Sequence, residues 1–358
     1  MSAPRDWRRL FRATDAPWHI SFALHIATGM VAGTAVCLLF TGPIAAVFGG
    51  LCAGLTAGIS ARVPGRVAGF AATLAAAAIL IAASLGVVTS PVPWAAALAL
   101  GVVIFVASLL AGTGPLGGAL GLVASFAFVL TASIRILRHD EAGRTGGLLL
   151  TVLCGVLIGL VLALLSGLVR AKGRQSLPPK QPESLGAQLA RSVRTRDESF
   201  HDGIRRAVPL SLSVLMFGVI GGQDAYWIFF ATFAILLPTG KPPLAITVTR
   251  VVGTVLGVVA TGLLALFLPS LVLAALAAAA LLTGVACQER LPVVGAALNA
   301  FGAIMIIGLP HGAVTEWAAH RLVDTLIGAA IAVAAVLLLW PRDAPTPDRA
   351  ISGPDQTT

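Results

Sequence analysis

The sequence predicts an all-α, polytopic membrane protein of about twelve transmembrane helices in two parallel six-helix halves. Three observations predict it. Of its 358 residues, 57% are apolar and only 11% charged, where an ordinary soluble domain carries about 25% charged residues. Such a chain cannot cover a water-exposed surface and must be solvated by lipid over most of its length. The apolar residues fall into segments of roughly 20, the length that crosses about 30 Å of hydrocarbon. The basic residues gather between those segments, on alternate sides.

The elements follow in order. Residues 1–19 form a basic cytoplasmic N-terminus with Arg5, Arg8, Arg9 and Arg12. Basic residues before an apolar run also open signal peptides. Here the run is long and lacks a small-residue cleavage site, so it reads as a first transmembrane helix. The first membrane half, residues 20–169, holds spans at about 20–40, 42–61, 67–88, 93–112, 117–134 and 146–169. The linker, residues 170–206, opens with a proline-containing segment (Pro178, Pro179, Pro182) that should be extended. Then Leu185, Leu189 and Val193 recur at helical spacing, as do Phe200, Ile204 and Val208. With basic residues in the gaps, this reads either as an amphipathic helix on the cytoplasmic leaflet leading into the next span or as a solvated charged linker. The second half, residues 207–341, holds spans at about 207–222, 225–239, 247–268, 270–287, 291–310 and 321–341. Residues 342–358 form a polar tail, expected to be cytoplasmic and disordered.

Charge orients this arrangement. With both termini in the cytoplasm, 20 of the 24 Lys and Arg residues fall on the cytoplasmic side; Arg135, Arg138, Arg144 and Arg321 fall outside. That bias is the positive-inside rule, and it explains the net charge of +9 without a nucleic-acid partner. All six tryptophans (Trp7, Trp18, Trp94, Trp227, Trp317, Trp340) fall near predicted interfaces, where an amphipathic ring is favoured. Cys37, Cys52, Cys154 and Cys287 lie in or at the ends of apolar runs, without a CxxC or a His at ligand spacing, so they read as small buried hydrophobes. A faint repeat pairs Arg66-Val67-Ala68-Gly69 with Arg250-Val251-Val252-Gly253, each opening the third span of its half. Six spans is an even number, so the halves share one orientation, related by an axis along the membrane normal.

Few residues are placed to carry chemistry. A charge in hydrocarbon costs several kcal/mol, so an intramembrane acid is a functional candidate by default. Asp324 lies about one turn into the last span, three residues after Arg321, and that spacing puts both on one helix face. It reads as a proton-coupling acid biased by the arginine, or as an interfacial ion pair anchoring the helix end. Asp224 lies nearer the external water. Arg250 enters the ninth span, placed to hold an anionic carboxylate, to snorkel to lipid phosphates or to cap carbonyls. Gly253, Thr254 and Gly257 share a face at a spacing that suits close helix packing. Tyr226 and Trp227 read as interfacial aromatics or as a platform for an aromatic substrate. His25 and Asn299 lie mid-span, as proton relays or interhelical hydrogen bonds. No metal cluster, nucleotide-binding loop or nucleophile motif is present, so the sequence gives no sign of an enzyme, a metal or a cofactor.

The stretch Asp224 to Gly257, DAYWIFFATFAILLPTGKPPLAITVTRVVGTVLG, carries a Tyr-Trp at the start of one span and a basic residue with Gly-Thr and a further Gly at the start of the next. Arg321, Thr325 and Gly328 continue the pattern toward Pro341. This combination resembles the fusaric acid resistance protein-like family, whose best-known members are the bacterial aromatic acid exporters. The resemblance is to a short form, without a large cytoplasmic domain between the halves. It implies a bacterial inner-membrane efflux transporter of small amphipathic organic anions such as aromatic carboxylates. It also implies a proton gradient as energy source, with a membrane-fusion-type partner or a second copy of the chain as companions. Arg250, Tyr226 and Trp227 would then bind substrate, and Asp324, Arg321 and Asp224 would couple protons. The rival readings are a membrane scaffold that assists assembly of a complex, and a passive anion channel.

Overall fold

The computed structural model describes residues 14–137, 145–171, 184–220, 226–236, 243–311 and 314–339. Among them are thirteen helices and no strand: α1 (Ile20–Cys37), α2 (Pro43–Ala61), α3 (Gly65–Thr89), α4 (Pro93–Gly112), α5 (Pro115–Leu137), α6 (Thr145–Ala171), α7 (Leu185–Thr195), α8 (Glu198–Ile220), α9 (Tyr226–Leu236), α10 (Pro243–Phe267), α11 (Ser270–Cys287), α12 (Pro292–His311) and α13 (Val314–Leu339). Five of them (α2, α4, α5, α10 and α12) open on proline. There its fixed φ suits the helix and its missing N–H is one that would go unpaired anyway.

Eight of the described helices are long and apolar enough to cross a membrane: α1, α3, α4, α5, α6, α10, α11 and α13. Their packing suits lipid. On α3 the buried residues are Gly65, Ala68, Ala71, Ala72, Ala75, Ala76, Ile79, Ala82, Ala83, Gly86 and Val87, while Phe70, Ile81 and Val88 lie 66%, 70% and 71% exposed. Small residues inside let backbones approach, and large ones outside face acyl chains. Thr131 Oγ1 donates to Ala83 O at 3.2 Å, joining α5 to α3.

Contacts follow matching pairs. α3 packs on α5, and α10 on α12; α4 on α5, and α11 on α12. α2 and α3 each pack on α6, as α9 and α10 do on α13. The two sets meet where α4 lies along α8 and where α11 reaches α1. The second contact is extended by the segment before α1. Thr14 N donates to Arg290 O at 2.9 Å and His19 N to Ala286 O at 3.0 Å. The Arg290 guanidinium lies 5.6 Å from the Trp18 ring centroid. At the foot of α6, Arg170 donates to Ser60 O at 2.7 Å and to Val63 O at 3.3 Å, satisfying carbonyls at the end of α2.

The linker contains two helices rather than the single amphipathic helix expected from its periodicity. Arg196 breaks it with φ 50, the left-handed region. Asp197 then restarts the chain by accepting from Phe200 N at 3.1 Å, an N-cap for α8. Donation from the Ser192 hydroxyl, and then from the Phe200 and Ser199 amides, holds the Asp197 carboxyl below the usual carboxylate range. The cap is therefore complete at neutral pH and weakens only as pH falls through that lowered value. Past this restart α8 runs unbroken to Ile220, with Pro209 inside it.

Candidate functional site

The site is assembled from α9, α10, α12 and α13. α9 is only 11 residues long and is fixed from two sides. Thr232 Oγ1 donates to Gly328 O at 3.1 Å, tying α9 to α13. Gly328 permits that approach, since a Cβ there would lie 2.6 Å from Ile228 O. On the other side Phe126 of α5 lies 5.1 Å from Phe230 and 5.5 Å from Phe233, centroid to centroid. Such ring contacts add to the area they bury.

α10 packs on α12 through its two glycines. A Cβ on Gly253 would lie 3.0 Å from Val293 O, and one on Gly257 would lie 2.7 Å from Ala297 O. The register makes α10 and α12 parallel, with residues 253 and 257 level with 296 and 300. Thr254, between the glycines, turns to the interior.

Between these helices lies a cavity of about 40 Å³ lined by Phe230, Ala231, Ala234, Arg250, Thr254, Ala296, Asn299, Ala300, Arg321 and Thr325. Such a volume holds about three waters, or one carboxylate group. Its polar lining is two guanidiniums, two threonines and an amide. Thr325 Oγ1 donates to Arg321 O at 2.7 Å. The Arg321 Cζ sits 3.7 Å from the centroid of the Trp227 ring, a cation–π contact, and Trp227 in turn lies 5.6 Å from Phe230. Asn299 Oδ1 is buried without a hydrogen-bond partner and faces Gly284 of α11, whose Cβ would come 2.5 Å from it. Two cations around one small cavity in an apolar helix bundle raise the local potential for anions. Placing them there is costly unless an anion or a carboxylate shares the space.

The structure brings five of the sequence-predicted residues to this place: Arg250, Arg321, Thr254 and Asn299 on the wall, and Trp227 behind Arg321. Gly253 and Gly257 support the wall from behind. Asp324 is 8% exposed, buried on α13 one turn from Arg321 and not part of the lining. Tyr226 opens α9, its side chain outside what the structure describes, and Asp224 lies outside the described residues. His25 Nδ1 donates to the Ser21 carbonyl of its own helix at 2.7 Å, so that contact is not interhelical. The sequence reading missed Phe230 and the alanines of the wall, which carry no polar signal, and had Thr254 as a packing residue only. Among the described residues no group of three or more His, Cys, Asp or Glu gathers as a metal site.

The model of the family described as fusaric acid resistance protein-like matches residues 211–335. That segment is similar to the fusaric acid resistance protein-like family. It runs from α8 through α13 and contains every residue of the cavity wall. No curated protein and no solved structure matches the chain. Family match and apolar helices together describe a multi-pass membrane protein.

Proposed function

We propose that this protein exports small amphipathic organic anions, aromatic carboxylates among them, from the bacterial cytoplasm across the inner membrane, driven by the proton gradient. The observation that carries the reading is the cavity where Arg250 and Arg321 converge. A planar guanidinium can meet a carboxylate through two parallel N–H···O bonds, and the neighbouring Phe230 suits an aromatic body. Arg250 takes the anion from the cytoplasmic side. Asp324 exchanges the coupling proton: deprotonated it pairs with Arg321 on its own helix, and protonated it releases that arginine. The alternation biases which face the cavity opens to. In this reading the protein is a transporter and not an enzyme.

The architecture that fits is twelve spans in two parallel six-helix halves, with both termini cytoplasmic. Three shorter apolar helices, Ala45–Ala61, Trp227–Leu236 and Pro292–Ile306, and the partly polar α8 complete the count. The matching contact pairs, and the reciprocal meeting of α4 with α8 and α11 with α1, are what a pseudo-two-fold along the membrane normal would produce. Single cysteines placed at His139 and Ala190 in a cysteine-free background are expected to react with an impermeant thiol reagent from opposite sides of the membrane. Labelling of both from one side would refute this topology.

Transport itself is tested with a permanently charged aromatic anion, benzenesulfonate, which does not slip through lipid as a neutral acid. Reconstituted protein is expected to accumulate it on the acidic side of an imposed pH gradient. A scaffold would give no flux above protein-free liposomes, and a passive channel would let the anion equilibrate without using the pH gradient.

A further inference from the structure

We infer that Arg321 is a second anion ligand facing Arg250 across the cavity, held in place by Trp227, so that the carboxylate is passed between two guanidiniums entering from opposite membrane faces. This rests on the anion-transport reading and assigns Arg321 a direct role beyond that of partner to Asp324.

Helix direction carries the first part of the argument. α10 runs parallel to α12, as the glycine contacts at Gly253 and Gly257 require. Near the end of α12 a Cβ on Gly308 would lie 3.1 Å from Val314 Cα and 3.5 Å from Trp317 Cβ at the start of α13, so those two run antiparallel. α10 and α13 are therefore antiparallel. Arg250 lies seven residues into α10 and Arg321 seven residues into α13. At 1.5 Å per residue each starts about 10 Å from its own end of the bundle. Their long side chains close the remaining gap, and both reach the same wall. Two cations sent inward from opposite ends to one cavity are poorly placed as interfacial anchors, which would snorkel outward.

Chemistry carries the second part. The Trp227 ring lies 3.7 Å from the Arg321 Cζ, close enough to hold the cation by its face. An arginine held through a cation–π contact can keep N–H groups for carboxylate oxygens. Trp227 is thus a positioning residue for Arg321. Thr254 and Thr325 add hydroxyls to the same wall. The cavity's about 40 Å³ suits the charged head alone, so the ligand class is a monoanion with its apolar body lying along α9 once the cavity widens.

The experiment is equilibrium binding of benzoate to the purified full-length protein, with melting temperature as the control for folding. Arg250→Gln and Arg321→Gln are each expected to weaken binding about tenfold or more. Trp227→Leu is expected to weaken it severalfold in the wild type and to add almost nothing in the Arg321→Gln background, because it acts through that arginine. Benzoate bound normally by a folded Arg321→Gln protein, with Arg250→Gln impaired, would overturn this inference and leave the transport reading standing. Additive losses for Trp227→Leu and Arg321→Gln would overturn the positioning role. A folded wild type that binds no benzoate would remove both the inference and the reading beneath it. Should Arg321→Gln fail to fold, Arg321→Lys decides. A loss of threefold or more without a change in melting temperature supports the planar fork as ligand, and unchanged affinity overturns it.

Discussion

Replacing Asp324 with Asn is expected to abolish anion-dependent proton flux while leaving the protein folded and inserted. Asp324 is 8% exposed, in a helix long and apolar enough to span the bilayer. Ionising a carboxyl there costs free energy unless a cation is near, so its proton occupancy responds to what Arg321 is doing one turn away. Asn keeps the shape and most of the hydrogen bonding but can neither take up nor release a proton. Proteoliposomes with a pH-sensitive dye inside report the flux directly. Undiminished flux in Asp324→Asn would return that residue to the role of helix anchor and leave the coupling step to another group.

Substituting Gly257 with Leu is expected to cost the protein its fold, or several kcal/mol of stability by the scale of overpacking. A Cβ at Gly257 would come 2.7 Å from Ala297 O and 2.8 Å from the Ala300 side chain. Backbone on α12 cannot yield as a flexible side chain would. α10 and α12 must separate, and with them the wall that holds Thr254, Ala296 and Ala300. Gly262 supplies the control on the same helix: nothing lies within 4 Å of its Cβ position, so Gly262→Leu should be tolerated and should slightly favour the helix. Yield and melting temperature in detergent separate the two. Equal tolerance of both leucines would show that the α10–α12 contact does not hold this bundle together.

Much of the architecture was legible because lipid imposes it. Composition gave the solvent, and segment length located apolar helices, eight of which among the described residues are long enough to cross a membrane. The break at Arg196 was not legible. Apolar residues 193 and 200 are seven apart, so the pattern reads through as one helix, and the left-handed turn is set by the local bonds of Asp197 instead. The residues of the candidate site were legible one by one. Arg250 and Arg321 stand out as charges in apolar runs, and Trp227 as an aromatic at a helix start. Their convergence was not, since Arg250 and Arg321 were assigned to opposite sides of the membrane. In helices apolar on every face, hydropathy does not say which neighbours pack. That choice lies in small residues such as Gly253, Gly257 and Gly328, whose partners become visible only in three dimensions.

The most direct test of the account is the uptake of benzenesulfonate into proteoliposomes under an imposed pH gradient, comparing wild type with Arg250→Lys. The wild type should accumulate the anion above equilibrium and lose that accumulation when a protonophore collapses the gradient. Arg250→Lys keeps the charge and loses the planar fork, so it should raise the apparent substrate constant about tenfold with little change in the amount of protein inserted. Accumulation by the wild type that neither the protonophore nor Arg250→Lys alters would contradict proton-driven export through this cavity.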